Sequence, residues 1–139
     1  MSNRNNRALA ERFYAHLLVG DLDALLALIA EDVVLSNPMP AALSCGGFYR
    51  GREGVLRYFG EVFSSLEMTL QIDAFVAEGN SVVVFGRDRG VAKLSGQHYQ
   101  ANWAHHLRFS ARGLICEFRG YTTLAELPEV CGERSSSMW

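Results

Sequence analysis

At Glu67 the spacing of apolar residues changes from three or four to two, and no other feature limits the fold as much. From there Met68, Leu70, Ile72 and Ala74 alternate with polar partners, as in a strand with one buried face. Gly79-Asn80 turns the chain, and residues 81–94 form a second long strand opening on Val-Val-Val-Phe. Ser95-Gly96 turns it back. Residues 98–109 and 114–123, either side of a Ser110–Gly113 turn, complete a meander of four antiparallel strands.

Before Glu67 the period is helical. Leu9, Phe13, His16 and Leu17 form one stripe of a helix over 8–19, which Gly20 ends. Asp21 caps a second helix over 22–30, with Leu22, Leu25, Leu26 and Ile29 on one face. A short strand, 33–37, stops at Pro38 and Pro40, because proline cannot donate to a ladder. Residues 41–47 read as loop. A third helix over 52–65 buries Val55, Phe59 and Val62, with Leu66 just beyond it. The fold class is therefore α+β: three N-terminal helices packed on a strongly curved, mostly antiparallel sheet. The sheet's other face also carries Val and Ile, so it is expected to meet a second copy in a homodimer.

A chain of 139 residues suits one compact domain, here 1–127, followed by a flexible tail over 128–139. A net charge of −2 gives no basic field for nucleic acid. No apolar run reaches the ~20 residues that span a bilayer, so no membrane partner is expected. The start lacks the apolar segment of a secretory signal. Cys45, Cys116 and Cys131 are odd in number and irregularly spaced, which fits reduced thiols in a cytoplasmic protein. There is no His-x-His or Cys-x-x-Cys pair, no phosphate loop and no dinucleotide fingerprint, so neither metal nor cofactor is expected.

Four stretches stand in order along the chain: RFYAHLLVGDLDALLALIAEDVVLSNP at 12–38, GFYRGREGV at 47–55, WAHHLRF at 103–109 and EFRGYTT at 117–123. Together they resemble the NTF2-like superfamily, in its SnoaL-like and ketosteroid-isomerase-like branch. The resemblance implies a cone with a pocket between helices and sheet. It also implies a hydrophobic small-molecule site used by isomerases, cyclases, hydrolases and non-enzymatic binders alike. Laid on the ketosteroid isomerase pattern, the helix tyrosine falls on Phe13, the carboxylate base on Asn37 and the protonated acid on His105. Many relatives keep an Asp at the position of Thr123. Steroid isomerisation by that machinery is not expected from this chain.

His105 shares strand parity with Trp103, Leu107 and Phe109 and should face the helices, as a proton-transfer group or as a satisfied core histidine. Asn37 is read as an orienting donor or as a turn residue before Pro38. Phe13, His16, Trp103 and Phe118 are the candidate ligand contacts, and His16 could meet His105 across the pocket. Arg87, Asp88 and Arg89 read as a solvated strand end. The expected partner is a small apolar or aromatic molecule. The expected activity is cofactor-independent proton transfer by His105, with plain ligand binding or plain dimerisation as the alternatives.

Overall fold

A computed structural model of the chain describes residues 3–37 and 47–122. Pro38, Pro40, Cys45, Cys131, Thr123 and the 128–139 tail lie outside the described residues. Three helices, α1 (Asn3–Val19), α2 (Leu22–Leu26) and α3 (Gly51–Ser65), pack on a six-stranded sheet. Its strands are β1 (Ile29–Asn37), β2 (Gly47–Arg50), β3 (Leu66–Glu78), β4 (Ser81–Ala92), β5 (His98–Phe109) and β6 (Ile115–Thr122), in the order β2-β1-β6-β5-β4-β3. The expected meander is there as β3 to β6. The sheet goes further, with β1 parallel to β6 and β2 antiparallel to β1. This is the expected α+β layout.

The buried stripe of α1 and the end of α2 differ from the expected pattern. Ala10, Phe13, Tyr14 and Leu17 are the buried apolar positions of α1, spaced i, i+3, i+4 and i+7, and Asn6 is buried one turn before them. The apolar stripe is thus centred one residue away from the expected line through Leu9 and His16. The second helix is only five residues long, and Ile29 belongs to β1 instead, paired with Ile115. Asp21 still caps it, accepting from the Ala24 amide at 3.2 Å. The Arg52 guanidinium fixes the exit by donating twice to the Ile29 carbonyl, at 2.8 and 3.1 Å.

Register decides what faces the helices. On the inner face Leu70, Asp88 and Ala101 form one row across β3, β4 and β5. Ile72, Gly86, Trp103 and Thr122 form the next, and Phe75, Val84, His105 and Gly120 the one after. Two of these rows contain a glycine, and the glycines make room. A Cβ at Gly86 would collide with the Trp103 ring and the Gln71 carbonyl, so the indole can lie flat only over a bare backbone. A Cβ at Gly120 would meet the Asn37 amide at 3.3 Å.

The outer face carries Ala74, Phe85, Ala104 and Tyr121 in one registered row, with Phe85 and Tyr121 about half exposed. Ion pairs flank it: Arg87 with Asp73 on one side, Arg108 and Arg119 with Glu117 on the other.

Candidate functional site

Between α1, α3 and the inner face lies a hollow of about 170 Å³. A cavity of ~150 Å³ holds benzene, so this one takes a single substituted ring. Its wall is mostly apolar, including Leu17, Phe59, Val62, Met68, Leu70 and Phe118. Leu18 and Phe63 also line it and are exposed, which places the opening between the C-terminal ends of α1 and α3.

His105 faces this space from β5. Its ring stacks on Trp103 at 4.0 Å between centroids and packs against Phe118 at 4.7 Å. Its Nδ1 lies 2.6 Å from the Tyr14 hydroxyl, which comes down from α1. Loss of water around the ring pushes its pKa down to about 3, so the imidazole is neutral at neutral pH. Tyr14 is held protonated for the same reason: burial, and then the neighbouring Tyr58, raise its pKa well above the usual phenol value.

These facts select a tautomer. Among the described residues the buried Tyr14 hydroxyl has one hydrogen-bond partner, His105 Nδ1. A buried O–H without an acceptor costs about 1–3 kcal/mol. The phenol therefore donates to Nδ1, and the ring proton sits on Nε2. This assignment follows from satisfying the hydrogen bonds. Nε2 makes no hydrogen bond with a described side chain, so it is left as a donor for whatever occupies the hollow. A group that protonates near pH 3 is a poor base at neutral pH, so the geometry suits His105 to donating a hydrogen bond rather than taking a proton.

Asn37 also lines the hollow, at the end of β1, and is buried. Its Nδ2 donates one of its two hydrogens to the Tyr58 hydroxyl at 2.7 Å, which fixes the amide against α3. Its buried Oδ1 has no hydrogen-bond partner among the described residues, and neither has the Trp103 indole N–H.

Of the ligand contacts expected from sequence, Trp103 and Phe118 line the hollow. Phe13 does not. It is 1% exposed and packs edge-on against Tyr14 at 5.1 Å, behind the wall. His16 is half-buried, is absent from the lining and makes no contact with His105; Tyr14 takes that place.

Two residues at the site, Tyr14 and Asp88, were not among those expected to form it. Tyr14 was visible as the i+4 partner of Ala10. Asp88 was read with its arginine neighbours as a solvated end, yet its even-numbered position puts it on the inner face with Val82 and Val84, and it lines the hollow. Arg87 is exposed as expected, bound to Asp73. Among the described residues no group of His, Cys, Asp and Glu could hold a metal ion.

The SnoaL-like domain model matches residues 10–118, and the chain belongs to that family. It is similar to an NTF2-like protein from Burkholderia xenovorans LB400, with 23% identity and a TM-score of 0.85 over 94% of this chain and 98% of that one. An NTF2-like protein of unknown function from Burkholderia pseudomallei K96243 shares 28% identity, with a TM-score of 0.80 over the same shares. TerC, co-crystallised with polyporic acid, shares 21% identity and a TM-score of 0.81 over 93% of this chain and 99% of that one. No curated protein matches the chain. No described helix is long and apolar enough to cross a membrane.

Proposed function

We propose that the chain takes a small, mostly apolar carbonyl compound into the hollow and polarises its oxygen through the Nε2–H of neutral His105. The observation that carries this reading is the Tyr14–His105 hydrogen bond at 2.6 Å, which fixes both the ring and its proton. A fixed donor in an apolar site stabilises negative charge that develops on oxygen, as in enolisation. The activity is then a cofactor-independent isomerase-, cyclase- or hydrolase-type reaction. TerC, of the same fold, was co-crystallised with an organic ligand, polyporic acid, which supports a small-molecule reading. A second reading, binding without turnover, is favoured by the Asn37 amide, which cannot accept a proton where the family pattern has its base.

Acetophenone labelled with ¹³C at its carbonyl is a probe of suitable size. Bound to the protein, its carbonyl stretch is expected to shift to lower frequency than in an apolar solvent. His105→Leu should abolish the shift and weaken binding about tenfold, the effect of one hydrogen bond of about 1.4 kcal/mol. Tyr14→Phe should reduce the shift while leaving the apolar contacts in place. An unshifted stretch in the parent protein refutes the donor role. Exchange of the methyl protons with D₂O separates the two readings, since only a catalyst accelerates it.

The homodimer belongs to the same proposal. The row through Phe85, Ala104 and Tyr121 is the apolar centre of the outer face, with charged pairs at its rim. Phe85→Glu is expected to halve the mass in sedimentation equilibrium while leaving the circular dichroism of the fold unchanged.

A further inference from the structure

Asn37 and His105 stand in one row of the inner face. Ser36 pairs with Arg119 and His105 pairs with Gly120, so Asn37, Gly120 and His105 follow one another across β1, β6 and β5. Gly120 puts no side chain between the other two. The Asn37 amide uses that room: a Cβ at Gly120 would lie 3.3 Å from both its Cγ and its Oδ1. Oδ1 is therefore carried over β6, on the side of Asn37 that faces His105. From there β5 is one strand spacing away, about 4.8 Å.

The two groups are complementary in kind, yet they do not bind one another. His105 offers the Nε2–H donor, and Asn37 Oδ1 is a buried acceptor with no hydrogen-bond partner among the described residues. The bond from Nδ2 to the Tyr58 hydroxyl assigns the orientation of the amide, and it leaves Oδ1 over Gly120. Both residues line the hollow, and Asn37 is only 7% exposed. A buried acceptor without a donor is costly. A ligand that brings an O–H to it therefore gains over one that brings a methyl group to the same place.

We propose that Asn37 determines the specificity of the hollow, its Oδ1 accepting a hydrogen bond from a ligand hydroxyl that stands beside the carbonyl held by His105. The two protein groups are one strand apart, so the ligand reaches both only if its hydroxyl and carbonyl sit on neighbouring carbons. The substrate class is thus an α-hydroxy ketone carried on a single ring. This rests on the His105 donor reading for the carbonyl end only; the hydroxyl end depends on Asn37 alone.

The test uses three phenyl ketones that differ at one group, titrated calorimetrically at pH 7.5. They are α-hydroxyacetophenone, propiophenone, in which a methyl replaces the hydroxyl, and α-methoxyacetophenone, which keeps the oxygen and lacks its hydrogen. The hydroxy ketone is expected to bind about tenfold tighter than either of the others. Asn37→Leu should bring the three within about two- to threefold of one another, by weakening the hydroxy ketone alone. Gly120→Ala is the second variant, for use if Asn37→Leu does not fold. The φ of Gly120 is not positive, so its backbone suits alanine, and the new methyl displaces the amide without deleting it. It too should remove the preference. His105→Leu should weaken all three by a similar factor and keep the order. Equal binding of the hydroxy ketone and propiophenone, a methoxy ketone bound as tightly as the hydroxy ketone, or an order that survives Asn37→Leu overturns the acceptor role and leaves the His105 reading standing. Where Asn37→Leu does not fold, an order that survives Gly120→Ala does the same. An order that Asn37→Leu removes while His105→Leu changes nothing overturns the donor reading and leaves Asn37 in place. If none of the three binds, both fall.

Discussion

Acidification from pH 6.5 to pH 5 is expected to destabilise the protein by roughly 1.5–2 kcal/mol through His105 alone. In the unfolded chain the imidazole titrates near ~6.5. In the folded chain burial lowers this to about 3. Between those values the unfolded state holds one more proton than the native state, so stability falls as pH falls, by up to ~1.4 kcal/mol per pH unit. Above about pH 7.5 the ring is neutral in both states and contributes almost no slope. Water reaching the edge of the ring that faces the hollow makes this the upper end of the effect. Carboxylates add their own loss at lower pH. Asp73 is held low by its hydrogen bonds from Arg87. At Glu117 burial acts upward, but the bonds from Arg119 and Arg108 outweigh it. Both stabilise the fold while ionised, and that contribution disappears as pH falls through their lowered pKa values. The comparison is therefore with His105→Gln, by urea unfolding at half-unit steps from pH 7.5 to 5. The variant should lack the His105 share of the slope. Parallel curves for the two proteins would mean that the ring is not dry.

Phe13→Ala is expected to cost the fold about 3–5 kcal/mol, the usual penalty for emptying a buried phenylalanine site. Its ring centroid lies 5.1 Å from that of Tyr14, 6.1 Å from Phe118 and 6.4 Å from Phe59, so one residue joins α1, α3 and β6. A domain of this size has only ~5–15 kcal/mol of stability in all. The urea midpoint should drop sharply. Acetophenone affinity per folded molecule should fall less than in His105→Leu, because Phe13 stands behind the wall. A loss below about 1 kcal/mol would show that the ring is not an anchor of the core. A selective loss of affinity would return it to the contact role that the family pattern implied.

The meander and the inward face of β5 were legible because a period of two fixes which residues share a side. The parity of Trp103, His105 and Leu107 holds in the structure, with all three on the helix side. The same rule applied to β4 would have turned Asp88 inward. It was obscured by two arginines, whose charge suggested solvent for all three positions. On α1 the difficulty was different. A helix with apolar residues at 9, 10, 13, 14, 17 and 18 admits two neighbouring stripes, and only the tertiary contact chooses between them. The choice places Tyr14 rather than His16 over His105. Nothing local marks the start of β1 at Ile29 either. Its partner, Ile115, is more than eighty residues away, and pairing across such a distance leaves no short-range pattern.

That pairing bears on how the chain is made. β1 leaves the ribosome ahead of the other described strands, whereas its parallel neighbour β6 follows all of them. Throughout the interval one flank of β1 presents open amides and carbonyls, and contacts so distant in sequence close slowly. Refolding is expected to be limited by this final strand, and nascent chains stalled before residue 115 to be the species most prone to aggregate or to engage a chaperone.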